Sequence, residues 1–519
     1  MLVLSAPTVA PGGAAATDDF LAAGSFVSDS MPREEPAVDL PGVDRAYVDP
    51  VFGTTIRQLT GSADAGVGFV PEYSKVGAFN ADGSLFLIRG TDASTYLFDG
   101  RTLAMIRMLP IPVADSEPRW SPTDPDTLTY LDNAGVAAVM EYSVASDTSR
   151  LLGAFNGVGE VSSGAEQDRS RSGRYFALHG AVTYDANGDF VSAPAFVADL
   201  VTGAASSVKI LTPPTPGDFL DYVSITPDDA HVMVMWARAG AQLYDRATWA
   251  FVRQLTDWDE HADFCRTSSG EDVLVIAHYR ADPNDQVVEA VPLSGARRRV
   301  LWQAPTYNMG LHVSCRNTAL PGWVFLSSYW DGPGQRPLPG PTSFENEVFA
   351  LSLDSTQGSP AVRRLAHTGM TERADYYDEP HAGVSRDGRL VLFGSNFGQH
   401  QTSESFDNAF AVDLRTSAQP QPPAGASPTT GPSPPAAQKV QTVLGTVVAR
   451  LRVGRVAVLP RRTISGRHVT FKSKTPRICA VARGRVAGRA AGQCWLAARA
   501  PVAVGYRAFR ARFRVRIVR

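Results

Sequence analysis

Three histidines, His261, His312 and His381, each stand a few residues ahead of a polar turn, and the three turns belong to successive copies of one repeated pattern. Aligning all copies on their turns brings seven positions into register: Val76, Glu117, Glu166, Tyr222, His261, Leu311 or its neighbour His312, and His381. Imidazole and carboxylate are donor types for divalent metals, so His261, His312 and His381 with Glu117 and Glu166 form a candidate ligand set for Mn, Zn or Ca. A neutral histidine also serves as a general base near pH 7, and Tyr222 is a candidate proton donor on the opposite side. Asp263, two residues after His261, is a candidate for orienting a ligating ring. The plainer alternative is that these side chains simply line a wet channel.

The pattern that would gather them is a strand, a tight polar turn and an apolar strand. The last copy reads Glu379-Pro380-His381-Ala382-Gly383-Val384-Ser385-Arg386-Asp387-Gly388, followed by the apolar run 390–393. The first turns at Asn80-Ala81-Asp82-Gly83, and the copies recur every ~35 to 70 residues. Repeats of this length built from short strands predict an all-β fold, a seven-bladed β-propeller over residues 51–415. The last blade has three strands of its own, at 381–385, 389–395 and 408–414. The strand 55–60, whose Arg-Gln-Leu-Thr recurs at 253–256, is expected to supply its fourth and close the ring.

Around the expected channel mouth, Trp258, Tyr307 and Tyr377 are candidates for stacking on sugar faces, and Arg316 and Asn317 for holding a carboxylate. Each has an ordinary alternative, loop packing for the rings and turn chemistry for Arg316 and Asn317. The segment 185–189 reads first as a hairpin turn and only second as a calcium loop. Phosphate-binding glycine loops, His-Glu-x-x-His and Cys-x-x-Cys are absent.

Charge divides the chain. Residues 439–519 hold 20 Lys and Arg and no acid, which leaves 29 basic and 52 acidic residues in the rest, a net of −23. The two parts are joined by 416–438, a Pro/Ala/Ser/Thr linker without charge that cannot build a core. An all-basic module is expected to bind an anionic polysaccharide or envelope surface, and no signature of sequence-specific nucleic-acid reading accompanies it. Residues 1–50 read as a leader, a remnant export signal or a plain disordered segment, followed by an extended arm. No apolar run is long enough to span a membrane. The cysteines fall into two pairs by domain, Cys265 with Cys315 and Cys479 with Cys494, which suits export. The first pair reads equally as two buried thiols.

Two resemblances bear on function. Thr475-Pro476-Arg477-Ile478-Cys479-Ala480-Val481 and the run 486–494, ending in Ala491-Gly492-Gln493-Cys494, resemble bacterial Ig-like domains of secreted proteins, although those are seldom arginine-rich. They imply a small β-sandwich over 439–519. The propeller rhythm, with turns such as Ser385–Gly388, resembles the oligogalacturonate lyase and TolB-like group. That resemblance implies an enzyme that uses histidines around a divalent metal to act on an acidic sugar chain, here a uronate chain cleaved by β-elimination. The protein is expected to be a secreted, periplasmic or cell-surface monomer. The lyases cluster ligands as Gln-x-x-His-x-His, whereas here each histidine is supplied singly. A non-catalytic binding or scaffolding propeller at the cell envelope is the competing reading.

Overall fold

The computed structural model describes residues 19–36, 38–61, 67–113, 116–258, 260–279, 286–304, 309–330, 342–370, 378–397, 407–415, 450–463, 467, 469–482, 484–500 and 509–518. Within them, seven sheets follow one another along the chain as blades of a propeller. Blade four shows the pattern: Leu220–Ile225, His231–Trp236, Gly240–Asp245 and Phe251–Gln254 pair in sequence, all antiparallel. The inner strands of blades five and six are Ala262–Arg266 and Met309–Ser314. Apolar side chains fill the seams between neighbours. Cys265, Val273 and Val275 of blade five, for example, share a cluster with Leu311, Val313 and Leu326 of blade six.

The repeat exists because the turn residue caps the strand that follows it. The Ser385 hydroxyl accepts from Leu390 N at 2.9 Å and donates to Asp387 at 2.6 Å, while Gly388 adopts φ +74°. In blade four Thr226 and Asp228 repeat the device, with His231 N at 3.0 Å from Thr226 Oγ1. In blade one Asn80 holds Leu85 N at 3.0 Å. A short polar side chain that bonds its own backbone is what makes such turns tight.

Blade seven closes the ring across the chain ends. Gly383–Val384, Leu390–Ser395 and Asn408–Asp413 are completed by Thr55–Gln58, paired as Thr55 with Asp413 through Gln58 with Phe410, and Ala46–Val48 adds a fifth strand. Ahead of it the arm is more built-in than an extended leader. Phe20–Ala23 forms a single helical turn with Leu21 fully buried. Arg364, also fully buried, pairs with Glu347 and donates to Met31 O at 2.6 Å. Asp49 receives both the backbone N–H and Nδ1 of His367, at 2.9 and 3.0 Å.

Glu35 in this arm accepts from Gly369 N at 2.7 Å, and burial pushes its carboxyl up to about 7 against the opposing pull of His367 and Asn346. A carboxyl raised on folding binds its proton more tightly in the native state, so its contribution to stability falls as pH rises from about 4.5 through 7. Glu35→Gln should therefore stabilise the fold at pH 8 by on the order of 1 kcal/mol, seen as a higher melting temperature, and change little at pH 4. Parallel melting curves of the two proteins across that range check it.

The C-terminal residues form two sheets. One orders Arg450–Arg452, Phe509–Val518, Gly492–Ala500 and Thr470–Ser473; the other orders Val456–Val458, Arg485–Gly488 and Cys479–Ala482. Alternation is as the sequence predicts, with Val515 and Ile517 buried and Arg516 exposed. The Cys479–Cys494 disulfide ties one sheet to the other, and Cys265–Cys315 ties blade five to blade six.

Candidate functional site

The inner strands deliver the histidines to one place. His312 lies within Met309–Ser314, His261 immediately precedes the inner strand of blade five, and His381 stands two residues before that of blade seven. Their rings form a contiguous group, with centroids 4.6 Å apart for His261 and His312 and 4.3 Å for His312 and His381. Tyr73, just after the first strand of blade one, sits over all three, at 6.2, 5.6 and 5.2 Å from His261, His312 and His381. His381 is held at φ +41°, a conformation that costs a non-glycine residue on the order of 1 kcal/mol and that the surrounding fold must enforce.

Glu379 completes the group. One oxygen lies 3.2 Å from His312 Nε2 and 3.4 Å from His381 Nε2. A ligand atom from each of these three residues falls within 4.8 Å of the others, and all three residues are buried. Burial alone would raise the Glu379 carboxyl, but its contacts with His312 and His381 hold it far below the usual carboxylate range. His312 is pushed well below the ordinary histidine value by burial and by its histidine neighbours, and its Nδ1 has no hydrogen-bond partner among the described residues. Two imidazoles and one carboxylate, the histidine at 312 neutral and the acid ionised, are the protonation states a divalent cation requires.

The other members of the aligned ring are otherwise engaged. Glu166 binds the ammonium of Lys75 at 2.6 Å. Burial would lower the Lys75 pKa, but Glu166, with Tyr222 and Asp221, raises it above the ordinary value, so this lysine is a fixed cation. Tyr222 is fully buried, its ring 4.2 Å beneath that ammonium. Glu117, also at φ +41°, is bound by Ser162, by the backbone N–H of Ser163 at 3.2 Å and by Arg119 at 3.4 Å, which ties blade two to blade three. The candidate ligand group thus draws His312 and His381 from the expected set and leaves out His261, Glu117 and Glu166. His261 stays neutral, its pKa depressed to about 4 by burial and then by the charge of Lys75.

Alignment on the turns is one residue off in two blades. Leu311 joins the core between blades five and six, and in blade one Lys75, beside Val76, supplies the polar group. Neighbouring residues of a strand face opposite ways, so a slip of one exchanges a core residue for a channel residue.

Other expected site residues lie apart. Asp263 is taken up by Arg316, with Nε at 3.1 Å, and by Cys315 N at 2.7 Å, and orients no histidine. That pairing also removes Arg316 from the histidine end. Asn317 is a turn residue, its amide donating to Leu320 O and Trp323 O at 2.7 and 3.0 Å. Trp258 stacks on His278 at 4.1 Å. Tyr307 and Tyr377 fall outside the described residues. The segment 185–189 is a hairpin turn, with Asp189 N bonded to Asp185 Oδ1 at 3.0 Å.

Beside Tyr73 a cavity of about 510 Å³ opens over blades one to three, lined among others by Glu72, Arg89, Asn133 and His179. Arg89 has no ion-pair partner among the described residues and is the cation best placed there to receive a carboxylate.

No family model and no curated protein matches the chain. Among solved structures, an oligogalacturonate lyase in complex with manganese is 16% identical over 72% of this chain and 96% of its own, with a TM-score of 0.51. The oligogalacturonate lyase of Vibrio parahaemolyticus is 14% identical, covering 72% and 97%, with a TM-score of 0.52. The β-propeller domain of Cps50 (Swd1) from Myceliophteria thermophila is 13% identical over 66% and 96%, at a TM-score of 0.40. The likeness is one of fold, and the body of this chain is a β-propeller of the architecture found in the oligogalacturonate lyases.

Proposed function

We propose that the protein is an exported, divalent-metal-dependent lyase that cleaves an acidic polysaccharide by β-elimination. The observation that carries this reading is the buried group His312, Glu379 and His381, lying under Tyr73 next to a cavity of polysaccharide-binding size. The fold likeness to lyases and the two disulfides support it.

His312, Glu379 and His381 would hold the divalent cation, which when bound would neutralise the uronate carboxylate and so acidify the adjacent C5–H. His261, neutral and outside the ligand group, takes the C5 proton. The electron pair of that C–H bond forms the C4=C5 double bond as the C4–O bond breaks. Tyr73 protonates the departing oxygen, in place of Tyr222, which is sealed beneath Lys75. Lys75 contributes a fixed positive field toward the developing anion, and Arg89 orients the chain by a uronate carboxylate. The basic C-terminal sheets hold the enzyme on the same anionic polymer and raise its local concentration.

The test is turnover of polygalacturonate and alginate by metal-stripped protein with and without added Mn²⁺, Zn²⁺ or Ca²⁺, followed by ultraviolet absorbance of the unsaturated product. Product is expected only with metal. His261→Ala should lose about 10²- to 10⁴-fold in rate while keeping its metal. One observation favours a non-catalytic binding propeller, namely that Tyr73 covers histidines that are themselves buried. Binding of these polymers with no unsaturated product under any of the metals would establish that reading instead.

A further inference from the structure

The inner strands run from the histidine group to the repeat turns, and at the turn end lies a second cavity, of about 230 Å³. Five arginines line it, Arg169, Arg171, Arg266, Arg316 and Arg386, against one acid, Asp168. Two of the five are neutralised: Arg171 by Asp272 at 2.6 Å and Arg316 by Asp263. Asp168 accepts from the backbone N–H groups of Gly77 and Arg169, each at 2.9 Å, and its remaining ion pair, at 3.6 Å, is with the already neutralised Arg316.

Arg169, Arg266 and Arg386 have no ion-pair partner among the described residues. The Nε of Arg169 is enclosed without an acceptor, and its one side-chain bond is a long 3.5 Å contact to Thr129. Arg386 spends one N–H on Pro122 O at 3.0 Å and is otherwise unmatched. Burial depresses the pKa of both, that of Arg169 to about 10. A guanidinium does not shed its proton at physiological pH, so an enclosed and unmatched one is a standing cost unless an anion is present. The rest of the body carries a net −23 outside residues 439–519, which makes a cationic hollow here a local exception. Ser121, Ser170 and Ser224 add hydroxyls, and Trp120 and Phe264 add flat apolar area.

We propose that this turn-end cavity is a second ligand site, for a small molecule bearing a carboxylate or phosphate that Arg169 and Arg386 clasp from opposite sides. The site is separate from the histidine group and does not depend on the lyase reading. Its volume admits about one sugar-sized ring, and planar forks suit oxyanions with paired oxygens.

Calorimetric titration of the full chain carrying His381→Ala, which disables the histidine site, isolates this cavity. Galacturonate, inorganic phosphate and neutral galactose are the probes. One of the two anions should bind and galactose should not. Which anion binds decides between a carboxylate and a phosphate source. Arg169→Met and Arg386→Met should each weaken binding at least tenfold, and exposed Arg266→Ala by less. Arg169→Met should also leave the melting temperature of the ligand-free protein unchanged or raised, because an unmatched charge has been removed. Absence of binding by both anions, or binding that survives Arg169→Met and Arg386→Met, overturns the proposal. So does a lowered melting temperature in Arg169→Met together with unaltered affinity.

Discussion

Glu379→Gln is expected to weaken binding of Mn²⁺ or Zn²⁺ by more than about 10²-fold, measured by calorimetry on metal-stripped protein. Loss of a residue that only orients a ligand costs 10- to 100-fold in affinity, and Glu379 would be a ligand itself. It is also the only anion of the group His312, Glu379 and His381. Glutamine keeps the shape and one oxygen but removes the charge that offsets the metal's own. His381→Ala and His312→Ala should act as strongly, each deleting a donor. His261→Ala should leave affinity nearly unchanged, since His261 contacts His312 ring to ring and contributes no atom to the group. Metal binding equal in all four variants and the parent would remove the site. Loss in His261→Ala alone would move it one blade back around the ring.

That pattern of four outcomes also measures what the sequence makes legible. The propeller and its closure by Thr55–Gln58 follow from the repeat, because a turn such as Ser385–Gly388 has one backbone solution and leaves a visible signature. The histidines follow from the same signature, since a fixed offset from a turn is a fixed height in the channel. Glu379 was within reach by period-two reasoning, as it stands two residues before His381 in a segment leading into a strand. In the lyase pattern Gln-x-x-His-x-His that place belongs to the first of the two histidines, and here a carboxylate stands in it. Tyr73 and Lys75 share the same two-residue spacing, yet blade one offers no histidine to draw attention to them. Arg316 and Asn317 follow the inner strand Met309–Ser314 instead of preceding it, and so lie at the turn end. Their Asp263 and turn contacts depend on pairings across blades that no local pattern encodes.

The Lys75–Glu166 pair should show the largest single effect on stability, and the effect should be lopsided. The Lys75 side chain is 1% exposed, whereas that of Glu166 is 26% exposed. Glu166→Gln strands an ammonium in the interior between the Tyr222 and Tyr73 rings, 4.2 and 5.3 Å away, and removing one partner of a buried pair costs about 3–5 kcal/mol. Lys75→Met leaves a carboxylate that already reaches water, so its cost should be nearer 1–2 kcal/mol. The double variant should regain most of what Glu166→Gln loses, because a methionine fills the lysine's volume and no charge remains to be solvated. Denaturant unfolding of the two single variants and the double variant gives the coupling directly. Equal costs for the two single variants would mean that Glu166 is as dry as Lys75. A cost in Glu166→Gln below about 1 kcal/mol would mean that water reaches the lysine, and the fixed positive field assigned to Lys75 in the elimination would be lost with it.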